Sequence, residues 1–172
     1  MEKKVKEVKK KAYDLGYKYE AQYGGCPQAT MRALQEVYQE VNPDIYQGMT
    51  GFTAGCGIEG DGICGAYAAS IYFIGQKYGR RLEDIGKNPD DPNAEEKLFE
   101  NFALVKKIHD KFIEKYGSII CHQIHRKLYG RPYYLADPEE LEKFYKAGAH
   151  DWGCTSVCGD AAEWTVEVLG VE

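Results

Sequence analysis

The chain lacks the two features that would place it on a nucleic acid or in a membrane. Its 172 residues include 22 Lys and Arg against 27 Asp and Glu, so the formal charge is −5, without the basic excess of a general nucleic-acid binder. The longest uncharged run, residues 62–76, has 15 residues, whereas a membrane-spanning helix needs about 20. The lysine-rich residues 1–11 are followed by no apolar segment of a secretory signal. We therefore expect a cytoplasmic protein without nucleic-acid or membrane partners.

Segments that alternate apolar and polar residues, as strands do, are also missing. Apolar residues instead recur every three or four positions, which is typical of amphipathic helices. Four Tyr-Gly dipeptides are expected to end helices, with the glycine in the left-handed conformation. They are Tyr23-Gly24, Tyr78-Gly79, Tyr116-Gly117 and Tyr129-Gly130. The sequence predicts an all-α protein in which residues 1–172 form a single-domain bundle of five to seven helices.

Several helix boundaries follow from local signals. Cys26-Pro27 is expected to open a helix that Asn42-Pro43 ends, and Asp91-Pro92 to open a longer one. The uncharged residues 64–75 are expected to form a central helix packed on all sides. The apolar stripe of the longer helix consists of Leu98, Phe102, Val105, Ile108, Phe112 and Tyr116.

Six cysteines are more than a chain of this length needs as a disulfide framework. A domain of 172 residues buries roughly two-thirds of its unfolded surface, so its core is sufficient without covalent links. In a reducing compartment, clustered thiols bind metals or carry redox chemistry more often than they form permanent bridges. The cysteines are therefore the candidate functional residues.

Four of these residues share one setting, at or near the first turn of a predicted helix. These helix-start cysteines are Cys26, Cys64, Cys121 and Cys154. Helix N-termini present unpaired N–H groups and a positive dipole end, which lower the pKa of a thiol and stabilise an anionic cluster. The pattern indicates that the four thiols bind one anionic group. The alternative is that they are small buried apolar residues.

The other two cysteines differ in their surroundings. Cys56 lies in a glycine-rich loop, residues 48–62, whose backbone can approach a ligand closely. Cys158 follows Cys154 by four residues, so both thiols lie on one face of a helix. For both Cys56 and Cys158, metal ligation and simple packing stay open.

Other sequence motifs are weaker indications of function than the cysteines. Residues 55–60 match the GxGxxG dinucleotide pattern, but no strand precedes them. None of the cysteines begins a Cys-x-x-Cys-His sequence, so covalent haem is not expected. No nucleophile motif stands out, and no catalytic residue is assigned. A zinc site would have to combine Cys121, Cys154, Cys158, His122 and His125.

Four sequence elements in order give the chain its resemblance to a known family. They are Gly25-Cys26-Pro27-Gln28-Ala29, residues 51–55 leading to Cys64-Gly65-Ala66, Tyr116-Gly117-Ser118 leading to Cys121, and Cys154 ahead of Asp160-Ala161-Ala162. The chain resembles the redox-active family named for its cysteine pattern, C_GCAxxG_C_C, and also the cluster-binding part of split-Soret cytochromes c. Two departures are that Ala69 replaces a glycine of the motif, and that Cys56 and Cys158 lie outside it.

The resemblance implies a small helical protein with an iron–sulfur or similar redox centre on Cys26, Cys64, Cys121 and Cys154, which are the helix-start cysteines. The relation to split-Soret proteins implies a homodimer. The leading hypothesis is therefore an electron-transfer protein, a possible oxidoreductase component, that works with a separate redox partner protein.

Two alternatives remain open at this point. One is a metal-free thiol-disulfide protein that uses pairs such as Cys154 with Cys158, or Cys26 with Cys121. The other is a helical interaction module in which the cysteines are inert.

Overall fold

The computed structural model describes residues 2–84 and 92–170, so the predicted helix cap Asp91 lies outside the described residues. The described chain contains eight α-helices and only an isolated β-bridge, which confirms the all-α class. The helices are α1 (Glu2–Tyr23), α2 (Cys26–Tyr38), α3 (Pro43–Gly48), α4 (Gly65–Tyr78), α5 (Pro92–Tyr116), α6 (Cys121–Tyr129), α7 (Pro138–Lys146) and α8 (Cys154–Leu169). A 3₁₀ turn (Met49–Phe52) follows α3, and a π turn (Ala149–Gly153) precedes α8.

Helices α1, α2, α4 and α8 pack on one another and form the centre of the bundle. The first turns of α4 carry no charged side chain, and residues 65–70 are all buried. The prediction that residues 64–75 pack on all sides was wrong for the second half of this stretch, because Tyr72 is 42% exposed. Met31 and Leu34 of α2 pack there with Phe73 of α4 and Val166 of α8. Burial of such side chains stabilises the fold by about 1.5–3 kcal/mol each.

A second group of buried side chains joins α5 to α4 and α8. The ring of Phe112 lies edge-on to Tyr67, with centroids 5.2 Å apart, and to Trp164 at 5.4 Å. The C-terminal half of the predicted apolar stripe is buried through Ile108 and Phe112. Phe102 is 52% exposed, so the stripe belongs to the core only in its second half.

Local signals placed most helix ends correctly. The four tyrosines of the Tyr-Gly dipeptides are the last residues of α1, α4, α5 and α6. Three of the four glycines are left-handed, but Gly79 has a φ of −76°. The predicted end of α2 at Asn42 was wrong, because α2 ends at Tyr38. Asn42 instead caps α3, its side-chain oxygen accepting from the amides of Asp44 at 3.0 Å and Ile45 at 3.2 Å.

None of the helices in the described part of the chain combines the length and the apolar character needed to cross a membrane.

Candidate functional site

The helix-start cysteines lie where the sequence predicted them, and they surround one cavity. Helices α2, α6 and α8 begin at Cys26, Cys121 and Cys154, and Cys64 immediately precedes α4. All four residues line a cavity of about 290 Å³. Four helix starts that are far apart in the sequence thus face the same space.

A short backbone pairing brings Cys64 and Cys121 together. Ile63 and Ile120 form an antiparallel β-bridge. Beside it, the amide of Cys64 donates to the carbonyl of Ile119 at 2.7 Å, and the amide of Cys121 donates to the carbonyl of Gly62 at 3.0 Å. The two thiols are therefore positioned by the backbone as well as by their helices.

The cavity is covered on one side by a left-handed turn in the glycine-rich loop. Residues 54–58 all have a positive φ, which is uncommon for residues other than glycine and costly for the β-branched Ile58. The amide of Ile58 donates to the carbonyl of Thr53 at 3.0 Å and holds the turn closed. Ala54 and Ile58 line the cavity. The loop thus brings backbone next to the thiols, and the amide of Ala54 faces Cys26, where it lowers the pKa of that thiol.

Cys56 and Cys158 do not line this cavity. Cys56 is exposed, and its charge is felt at Cys121. Cys158 is fully buried next to Cys26, with its sulfur 3.6 Å from the carbonyl oxygen of Cys26. Both residues are therefore neighbours of helix-start cysteines, although neither lines the cavity.

All six cysteines are described, and all are free thiols. The expectation that helix N-termini lower their pKa was wrong for the metal-free protein. Burial raises the pKa of Cys64 to about 11, against the opposing effect of the Ala66 and Tyr67 amides. Burial also raises the pKa of Cys26, Cys121 and Cys154. The loss of solvent around a charged thiolate outweighs the helix amides.

His125 is a neighbour of two of these thiols. Its Nε2 lies 3.6 Å from the sulfur of Cys121, one helical turn away, and 3.9 Å from the sulfur of Cys154. The side chain is 2% exposed, and burial lowers its pKa to about 4, so it is neutral. Its Nδ1 is buried without a hydrogen-bond partner among the described residues. The sequence indicates His125 only as part of a zinc site with Cys121, Cys154 and Cys158.

The hydroxyl of Tyr129 contacts one of the helix-start cysteines. Its Oη lies 3.6 Å from the sulfur of Cys154. Gly153 makes this approach possible, because a Cβ at that position would overlap the Tyr129 hydroxyl. Tyr129 therefore ends α6 and also contacts the site. Its position in a Tyr-Gly dipeptide predicted only the helix end.

Glu20, on the last turns of α1, is the residue that sequence reasoning missed. It lines the cavity and is 4% exposed. Its Oε1 is 3.8 Å from Nε2 of His150, and its Oε2 is buried without a hydrogen-bond partner in the described chain. Burial raises the pKa of this carboxyl to about 7. No local motif marks Glu20, because only the packing of α1 brings it to the cysteines.

The cavity also reaches the surface. Tyr23, Ile58 and Tyr145 line it, and their side chains are 76%, 40% and 47% exposed. Phe144 and Leu135 are buried and form part of an apolar wall. The cavity that the thiols line is therefore bordered by both buried and exposed side chains.

The donors that the cavity offers are mainly thiol sulfurs. Within residues 2–84 and 92–170, no three His, Cys, Asp or Glu side chains are grouped closely enough to hold one metal ion. The helix-start cysteines instead line a shared space. Four thiolates are the usual ligands of both two-iron and four-iron clusters.

Comparison with known proteins agrees with the cysteine pattern. A family model described as "Putative redox-active protein (C_GCAxxG_C_C)" matches residues 25–168, which is most of the chain and includes all six cysteines. Comparison with curated proteins and with solved structures finds no significant match. With four cysteines at helix starts around one cavity, and with this match, the chain belongs to the C_GCAxxG_C_C family of redox-active proteins.

Proposed function

We propose that the protein is an iron–sulfur electron-transfer protein, with Cys26, Cys64, Cys121 and Cys154 as cluster ligands. The observation that carries this proposal is that the four residues, from four separate helix starts, line one cavity. When bound, the cluster would supply one-electron redox chemistry. The chain supplies the thiolates and the hydrogen bonds to them.

The electrostatics of the metal-free site support a bound cation. Among the described residues that line the cavity, none is lysine or arginine. Four thiolates in this space would lack a cationic partner among the lining residues, which is unfavourable for charges that are largely removed from water. The irons of a cluster supply the missing positive charge and allow the thiols to lose their protons.

The surroundings of the thiols would raise the reduction potential of a cluster. The Tyr129 hydroxyl faces the sulfur of Cys154, and the amide of Ala54 faces Cys26. Hydrogen bonds to cluster sulfurs stabilise the more negative, reduced form.

The same site is poorly suited to thiol-disulfide exchange. The thiolate is the attacking form in that reaction, and burial raises the pKa of Cys26 and Cys154 well above the usual range. Neither thiol of the pair suggested by spacing, Cys154 and Cys158, has a lowered pKa. A metal-free redox role therefore has less support than a metal centre.

The test is a series of single cysteine-to-serine variants reconstituted with iron and sulfide in the absence of oxygen. Visible absorption and iron content are measured for each. We expect large losses of iron for changes at Cys26, Cys64, Cys121 and Cys154. Cys56→Ser is the matched control, because Cys56 is exposed and outside the cavity lining. Equal iron contents in all five variants would contradict the proposed ligand set.

A further inference from the structure

We propose that Glu20 is a fifth protein ligand of the same metal centre, binding iron through its carboxylate. This inference rests on the proposed function and extends it to a residue of α1. Glu20 precedes residues 25–168, so it is not part of the family pattern.

Position and burial are the first support. Glu20 lines the cavity together with the helix-start cysteines and is 4% exposed. Its Oε2 has no hydrogen-bond partner within the described residues. Burial of an oxygen without a partner is unfavourable, so such an oxygen in a folded protein normally has a ligand or another role.

If Glu20 had only a structural role, its Oε2 would lack a partner in either protonation state. An ionised carboxylate needs a donor or a cation at Oε2, and a protonated one needs an acceptor for its hydrogen. The His150 imidazole approaches the other oxygen, Oε1, at 3.8 Å, which is beyond hydrogen-bond distance. A metal ion in the cavity would satisfy the free oxygen.

The negative charge that the cavity would collect is the second support. The helix-start cysteines and the carboxyl group of Glu20 line the same space, and none of its described lining residues is lysine or arginine. Like charges gathered in a low-dielectric space repel one another unless a cation lies between them. Iron is a suitable cation, because carboxylate oxygen and thiolate sulfur both bind it.

The experiment compares the whole chain with two variants, Glu20→Gln and Glu7→Gln. Glu7 lies on the same helix and is exposed, so its change controls for the loss of one negative charge on α1. Each protein is reconstituted with isotopically enriched iron and sulfide without oxygen. Mössbauer spectra and the rate of iron loss to a chelator are then measured, together with thermal unfolding of the metal-free forms.

We expect the wild-type spectrum to contain one iron site with a larger isomer shift than iron bound by sulfur alone. Glu20→Gln should lose this site and release iron about tenfold faster or more. Glu7→Gln should match the wild type. Metal-free Glu20→Gln should be at least as stable as the wild type, which shows that the variant folds.

The outcomes separate this inference from the proposed function. If the wild type binds iron and Glu20→Gln keeps both its spectrum and its release rate, the Glu20 ligand is wrong while the cysteine centre stands. If the wild type binds no iron, both are wrong.

Discussion

The hydroxyl of Tyr129 donates a hydrogen bond to the sulfur of Cys154 across 3.6 Å. Gly153, the residue that precedes α8, leaves the room for it. The end of α6 and the start of α8 therefore meet at Cys154, a proposed cluster ligand.

This contact predicts the effect of Tyr129→Phe on the reduction potential. Loss of a donor to a ligand sulfur should lower the potential by roughly 40 mV, since about 1 kcal/mol of differential stabilisation corresponds to that shift for one electron. A potentiometric titration followed by EPR measures it. Tyr134→Phe, at an exposed tyrosine outside the cavity lining, should leave the potential unchanged. Equal potentials for wild type and Tyr129→Phe would contradict the role of this bond.

The close packing of α4 against Cys26 predicts a second effect. A Cβ at Gly65 would lie 2.7 Å from the sulfur of Cys26 and 2.9 Å from the carbonyl oxygen of Phe52. Gly65→Ala should therefore displace Cys26, lower the iron content and destabilise the protein by about 1–3 kcal/mol. Gly75→Ala, in the same helix with open space around it, should stabilise the protein by about 0.5–1 kcal/mol. The comparison uses iron analysis and chemical denaturation, and normal iron content in Gly65→Ala would refute the packing argument.

Two buried groups predict opposite pH dependences for the stability of the metal-free protein. The folded-state pKa of Glu20 is raised from 4.5 to about 7, so folding retains a proton that the unfolded chain releases, and stability falls as the pH rises through this range. The pKa of His125 is lowered from 6.5 to about 4, so its contribution is complete above 6.5 and is lost as the pH falls towards 4. Each contribution amounts to about 3 kcal/mol.

In the wild type, the pH dependences of stability from Glu20 and His125 offset each other. A variant that lacks the Glu20 carboxyl removes one of the two. Between pH 4.5 and 6.5, Glu20→Gln should gain about 3 kcal/mol of stability from His125, with a contribution of the same sign from His150, whose pKa burial also lowers. The wild type should change far less. Urea denaturation of the metal-free proteins across this range makes the measurement. Parallel curves for the two proteins would show that Glu20 titrates normally.

Removal of the metal should weaken the whole bundle, because the proposed ligands belong to α2, α6 and α8 and to the start of α4. A centre that contributes roughly 4 kcal/mol would raise the Tm by roughly 10 °C. Differential scanning calorimetry before and after anaerobic chelation tests this expectation. Cys64→Ser should show little change on chelation. An unchanged Tm in the wild type would mean that the centre does not link the helices.

Local sequence signals predicted the starts of α2 and α8 and placed Cys121 in the first turn of α6, since proline and glycine act within one turn of a helix. They also selected the cysteines that share the cavity. The position of Glu20 could not be predicted, because it depends on how α1 packs against the rest of the bundle. The left-handed turn at residues 54–58 could not be predicted either, since alanine and isoleucine, as at Ala54 and Ile58, do not favour a positive φ. The thiol pKa values were misjudged because burial is a property of the finished fold.

The most direct test of the central claim is the iron and acid-labile sulfide content of protein isolated without oxygen. The account predicts brown protein with iron and sulfide in comparable amounts, and an EPR signal in one oxidation state that is lost in Cys121→Ser. Colourless wild-type protein that binds neither iron nor sulfide, even after reconstitution, would contradict it.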